Sequence, residues 1–210
     1  MQTVSAQLSW SYYCELLAIK DPNSFNYYIK ICEQQNLSVR ELRVRIKNNE
    51  YERLDEDAKN KLIQNKQTTV ADFIKNPIVI NNKNNYEIIS EKVLKQIILE
   101  DVESFMKELG ASFCFIGSEY KIKIGNEYNY IDLLLYNIEF NCYVVVELKV
   151  TSLKKEHIGQ IEVYMNYIDK HLKSYNQDKT IGIIICKKDN KFIMEYCSDK
   201  RILSKEYQLI

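Results

Sequence analysis

Three charged residues stand where a folding chain would otherwise bury carbon. Asp132 lies within Y-I-D-L-L-L-Y at 130–136, and Glu147 and Lys149 lie within C-Y-V-V-V-E-L-K-V at 142–150. Runs this rich in β-branched and aromatic residues predict buried strands. A carboxylate or a lysine is almost never fully buried without a partner. The remedies are an ion pair, a metal ion, or a strand end that opens into a cleft. Side chains alternate along a strand that rises about 3.3 Å per residue, so Val145, Glu147 and Lys149 share one face, with Glu147 and Lys149 about 7 Å apart. On the preceding strand the same rule puts Asp132 with Tyr130 and Leu134, and Ile131, Leu133 and Leu135 on the other face. Two adjacent antiparallel strands can then gather all three charged groups on one side of a sheet. Carboxylates held together repel unless a divalent cation lies between them. Oxygen-only ligation suits Mg²⁺, which retains waters for chemistry. A neighbouring lysine can orient water or stabilise charge building on a phosphoryl group. That is the chemistry of phosphodiester hydrolysis.

Asp132 followed by E-L-K at 147–149 resembles the D…(D/E)-x-K core of the PD-(D/E)xK nucleases, and Gln160 with Tyr164 extends the likeness to a Q-x-x-x-Y tail. More closely, F-I-G-S-E-Y, V-V-V-E-L-K, G-Q-I-E-V-Y and the upstream L-S-W-S-Y-Y-C-E-L-L-A-I-K-D-P resemble the YhcG-like PDDEXK nuclease domain-containing family of bacteria, from about Leu8 to Leu209. The resemblance implies a restriction-endonuclease-like α/β fold, a mixed sheet flanked by helices, preceded by an all-α module. It implies a nuclease acting on nucleic acid, DNA first, with Mg²⁺ or Mn²⁺ on Asp132 and Glu147. Lys149 would position water and Gln160 would orient Lys149 or the phosphate. Tyr164 would touch or stack on the nucleic acid. Glu108 matches an acidic position that would add a metal contact, with Glu103 as its rival. The contrasting expectation is a binding module that kept the fold without the chemistry, in a defence or mobile-element system. A homodimer is expected only because cutting both strands usually takes two sites.

The elements that must position these groups follow from periodicity and punctuation. Residues 9–49 predict three helices. Asp21-Pro22 starts the second, and Ser38 with Glu41 forms a capping box on the third. Arg40, Arg43 and Lys47 then line one side of a helix that follows a tight turn, as in helix-turn-helix readers of nucleic acid; the alternative is a three-helix bundle with a solvated basic face. The expected division is a helical module over 1–57, a polar connection over 58–86, and the nuclease-like domain over 87–210. A single apolar-striped helix is expected over 87–109, with Gly110 as its stop. A three-strand meander follows, with Gly125-Asn126 as a tight turn; Glu119 can face the site from its strand or pair on the surface with its lysine neighbours. A helix over 155–173 and the apolar strand T-I-G-I-I-I-C complete a crossover unit. Phe192–Cys197 reads as one more strand, and the tail to Ile210 as an edge.

Composition sets bounds. The 210 residues are 46% hydrophobic and 28% charged, as in a folded globular chain. The 29 basic and 29 acidic residues cancel, which argues against a strongly basic surface but leaves room for a local groove. The six cysteines form no C-x-x-C pair, so no zinc site is expected, and they fit a reducing cytoplasm. No apolar run reaches the roughly 20 residues that span a bilayer, so no membrane partner is expected. The start lacks a signal-peptide pattern. It reads as mid-helix sequence, which fits a short family member or a piece of a longer protein.

Overall fold

The computed structural model describes residues 8–210 except Asn65 and Ala111, and only the backbone of Gln34; residues 1–7 of the expected helical module lie outside the described residues. The chain forms two compact units, 1–73 and 74–210.

The first unit is helical. α1 (Trp10–Leu16), α2 (Pro22–Gln35) and α3 (Val39–Lys47) are the three helices expected. Asp21 caps α2 by accepting from the Ser24 amide, with Pro22 in the first turn. Asn36 turns the chain in the left-handed region, and Ser38 and Glu41 form the reciprocal capping box of α3. Leu16, Tyr28, Ile31, Leu42 and Leu54 build the core. The polar connection expected over 58–86 is more structured than its composition implies. α4 (Glu56–Ile63) and a 3-10 turn at Val70–Phe73 belong to the first unit, and β1 (Ile78–Ile80) belongs to the second. Asp72 holds the 3-10 turn by accepting from Thr69 and Lys61.

The second unit is a six-stranded mixed sheet in the order β1-β6-β5-β4-β3-β2. The meander is β2 (Phe113–Ile124), β3 (Glu127–Asn137) and β4 (Cys142–Ser152), antiparallel throughout. Gly125, at φ +61°, makes the expected tight turn. The chain crosses through α7 (Lys155–His171) to β5 (Ile181–Lys188), which pairs parallel to β4. Ile183, Ile184 and Ile185 are fully buried, as a strand covered on both faces requires. α7 lays Ile161, Tyr164, Met165 and Ile168 on the sheet, the i, i+3, i+4, i+7 stripe of an amphipathic helix.

Two expectations need correction. The 87–109 helix is two, α5 (Glu91–Glu100) and α6 (Val102–Leu109), broken at Asp101. Asp101 leaves helical geometry at φ −142°, ψ 56° and accepts from the Ser104 amide, so it caps the second helix instead of continuing the first. The final strand is not 192–197. Those residues begin in the short helix α8 (Lys191–Glu195), capped by Asn190, and the strand is β6 (Ile202–Leu209), parallel to both β5 and β1. Its I-L-S-K-E-Y-Q-L spelling hides it, because half its positions are polar.

α7 seats closely on β5 because Gly182 offers no side chain. A Cβ there would stand 2.5 Å from Met165 Sδ and 2.8 Å from Ile161 Cδ1, both in the fully buried core. Gly182→Ala is expected to lift the helix and cost about 1–3 kcal/mol, the usual range for overpacking. Urea unfolding should show this as a lower midpoint with an unchanged slope.

Candidate active site

Asp132, Glu147 and Lys149 meet at a fork between β3 and β4. The β-ladder runs from Asn137↔Cys142 to Leu133↔Val146 and stops there. At the next step the carboxylates replace the ladder. Asp132 Oδ2 accepts from the Leu148 amide at 3.0 Å, and Glu147 Oε1 accepts from the Asp132 amide at 3.4 Å. Two backbone N–H groups freed by the splaying strands are thus satisfied by the acids themselves. Glu147 and Lys149 are 2% and 8% exposed, so their charges need partners. Lys149 Nζ lies 3.3 Å from Glu147 Oε2 and 3.8 Å from Glu91 Oε2.

The fork coincides with a slip in strand phase. Ile131 and Leu134 both belong to the core under α7, though strict alternation would place them on opposite faces. β2 slips alongside, since its ladder to β3 skips a register after Phe115 and Glu119 stands at φ +48°. Ser118 pairs with Leu133 and Tyr120 with Ile131, which sets Glu119 against Asp132. The simple alternation expected for Ile131, Leu133 and Leu135 therefore fails at Asp132.

Two residues of the site were missed by sequence reading, Glu91 and Lys95 on α5. Lys95 Nζ lies 2.9 Å from Asp132 Oδ1 and also pairs with Glu119. The signal was available: the two are four residues apart and share a helix face, beside the stripe formed by Leu94, Ile97 and Ile98. Glu91, Glu119, Asp132 and Glu147 carry four carboxylates against the ammonium groups of Lys95 and Lys149, a formal excess of two negative charges. Burial, then the nearby Asp132 charge, pushes the Glu147 carboxyl up to about 7 against the pull of Lys149. Burial disfavours the Lys95 ammonium, but hydrogen bonds to Glu119 and Asp132 outweigh it and hold its pKa above the ordinary lysine value.

The other expected site residues lie elsewhere or are engaged differently. Glu108 accepts from the Val79 amide at 3.0 Å and lies 3.7 Å from Lys75, so it stitches α6 to β1 rather than joining the fork. The break at Asp101 is the reason, since it takes α6 off the line of α5. Glu103 makes an exposed pair with Lys107. Gln160 donates to Tyr164 Oη at 3.2 Å, and Tyr164 is 6% exposed within the core, which removes its ring as a stacking surface. Arg40, Arg43 and Lys47 are exposed on α3, and Arg43 is held by both oxygens of Glu15. His157 caps α7 by accepting from the Lys154 amide, and His171 packs on Tyr167.

Comparison with known proteins bears on this geometry. Residues 71–210 match the model of the YhcG PDDEXK nuclease domain. The chain belongs to that family. Residues 1–53 match the DUF1016 N-terminal domain. A curated relative, the putative nuclease YhcG of Escherichia coli (strain K12), is 28% identical over 194 residues, covering 88% of this chain. The chain spans only 52% of that relative's length. Among solved structures, a repair endonuclease from Pyrococcus abyssi is 18% identical over 58% of this chain and 48% of its own, at TM-score 0.40. An EndoMS complex with double-stranded DNA is 20% identical over 60% of this chain and 48% of its own, at TM-score 0.39. The mixed sheet flanked by helices, preceded by a helical unit, is the fold class expected. No helix among the described residues is long and apolar enough to cross a membrane.

The donor set at the fork fits a hard divalent cation. It consists of carboxylate oxygens with a formal charge of −2, and Mg²⁺ accepts one or two carboxylates with water completing its shell. Among the described residues no group of three or more His, Cys, Asp or Glu side chains stands at ligating spacing, so a cation on Asp132 and Glu147 would take its other ligands from water, main-chain oxygen or substrate.

Glu147 makes stability depend on pH. Its folded pKa of about 7 lies above the ordinary 4.5, so the folded state binds the extra proton between those values. Stability therefore falls as pH rises from about 4.5 to 7 and stays reduced above it, by on the order of 3 kcal/mol from this group. Chelator-treated protein should show this decline in urea unfolding, and Glu147→Gln should flatten it. An equal decline in both proteins would refute the assignment.

Proposed function

We propose that this chain is a Mg²⁺-dependent endonuclease that hydrolyses phosphodiester bonds in DNA, with Mn²⁺ able to replace Mg²⁺. The supporting observation is the fork, where Asp132 and Glu147 converge beside Lys149 with two negative charges in excess, in a chain of the PDDEXK family. A cation held by Asp132 and Glu147 would polarise a phosphoryl oxygen and lower the pKa of bound water. Lys149, seated against Glu147, would orient the attacking water and offset charge on the phosphoryl oxygens. Asp132 would keep the fork open by holding the Leu148 amide. Gln160 would act through the α7 core as a positioning residue, bonded to Tyr164. Exposed Arg40, Arg43 and Lys47 would grip phosphates from the helical unit. A cytoplasmic setting fits the free thiols. Cutting both strands of a duplex would take two copies.

Incubation with plasmid and with single-stranded nucleic acid, in Mg²⁺, Mn²⁺ or chelator, tests the proposal. Cleavage is expected only with metal. Asp132→Asn, which preserves shape and removes charge, should lower the rate about a hundredfold or more, as should Lys149→Met. Calorimetry should show Mg²⁺ binding that Asp132→Asn abolishes. A folded protein that cuts nothing with either metal would leave the binding-module reading in its place. Arg40→Gln with Lys47→Gln should weaken duplex binding and reduce its salt slope by about one for each phosphate the variant no longer grips.

A further inference from the structure

The β2–β3 hairpin beyond the fork has two unlike faces. Ile122 and Ile131 are buried under α7, with Tyr120 packed beside them. The opposite face is exposed, and it carries Lys121 paired across the strands with Tyr130, then Lys123 paired with Tyr128. Tyr128 and Tyr130 are 56% and 48% exposed and stand side by side with the two lysines. Lys121 Nζ lies 3.7 Å from the Tyr128 ring centroid and Lys123 Nζ lies 5.9 Å from it. Along the strands the strip runs toward the fork, with Asp132 about 13 Å from Tyr128 at the rise of a strand. Glu119 is neutralised by Lys95, so the row is positive outward from the fork.

We propose that this strip of Lys121, Lys123, Tyr128 and Tyr130 binds a single-stranded stretch of nucleic acid and feeds it to the fork. The inference rests on the nuclease reading for its direction but not for its chemistry. Exposed tyrosine rings stack on base faces, which a continuous duplex hides and an unpaired strand presents. Ammonium groups flanking the rings meet the phosphates between those bases. A sequence reader of duplex would need groups aimed into a groove; this row offers two exposed rings and two lysines. The substrate class is therefore a strand with unpaired bases, such as a flap, a gap or a free single strand.

Fluorescence anisotropy of the full chain with labelled oligo-dT and with a blunt duplex, in chelator so that nothing is cut, tests this. Tyr128→Ala with Tyr130→Ala should weaken oligo-dT binding about tenfold or more and change duplex binding little. Tyr128→Phe with Tyr130→Phe should retain binding, because the rings remain. Lys121→Gln with Lys123→Gln should reduce the single-strand salt slope by about 0.7 per lysine. Unchanged oligo-dT affinity in the alanine variant, or no oligo-dT binding by the parent chain, overturns the strip. So does loss of self-association in the alanine variant on sedimentation, with oligo-dT binding intact; the face would then join copies of the chain. Ring-dependent binding by a chain that cuts nothing with Mg²⁺ or Mn²⁺ would sink the nuclease reading and leave the strip standing.

Discussion

The site depends on a backbone obligation. When two antiparallel strands part, the amides they shared must find other acceptors, because an orphaned buried N–H is costly. Here the acceptors are Asp132 and Glu147. The acids that could do chemistry are the same groups that make the parting tolerable. Their position is set by the ladder that runs up to Leu133 and Val146, and that ladder is held by a sheet whose middle strands are buried on both sides. Precision at the fork is thus inherited from packing well away from it.

Charge follows from the same constraint. Placing four carboxylates around two lysines leaves the site negative, and burial makes that excess expensive at Glu147 in particular. The lysines come from different elements: Lys149 from the strand that bears Glu147, Lys95 from a helix turn that reaches Asp132 and Glu119. α5 is consequently part of the site, and its apolar stripe of Leu94, Ile97 and Ile98 fixes the height at which Lys95 arrives.

Much of this architecture was legible in the residues. Asp21-Pro22 and the Ser38–Glu41 box marked helix starts through local hydrogen bonds, which need no tertiary context. The alternation of Tyr120, Ile122 and Ile124 with two lysines marked a half-exposed strand, and Asp132, Glu147 and Lys149 stood out as charges inside apolar runs. What escaped were features decided by distant partners. The phase slip at Asp132 arises between two strands and is invisible in either. Lys95 looks like any solvated helix lysine until Asp132 is opposite it. Glu108 keeps the right residue type on the wrong segment, because a single aspartate at 101 capped a new helix where the apolar period seemed continuous. β6 is half polar, yet it is a strand because β5 and β1 flank it.

The pairing of β1 with β6 has a further consequence. Asn76 accepts from the Glu206 amide, a hydrogen bond between residues 130 positions apart, and Ile78–Ile80 align with Tyr207–Leu209. During synthesis on the ribosome, β1 emerges early and has no strand to join until nearly all the rest of its unit has been made. Loop closure over such a span is slow and its reward comes late. Through that interval α6 is the neighbour β1 can join, with Glu108 accepting from the Val79 amide, while the other edge of β1 waits for β6. A nascent chain stopped before β6 therefore leaves β1 without the strand it pairs with.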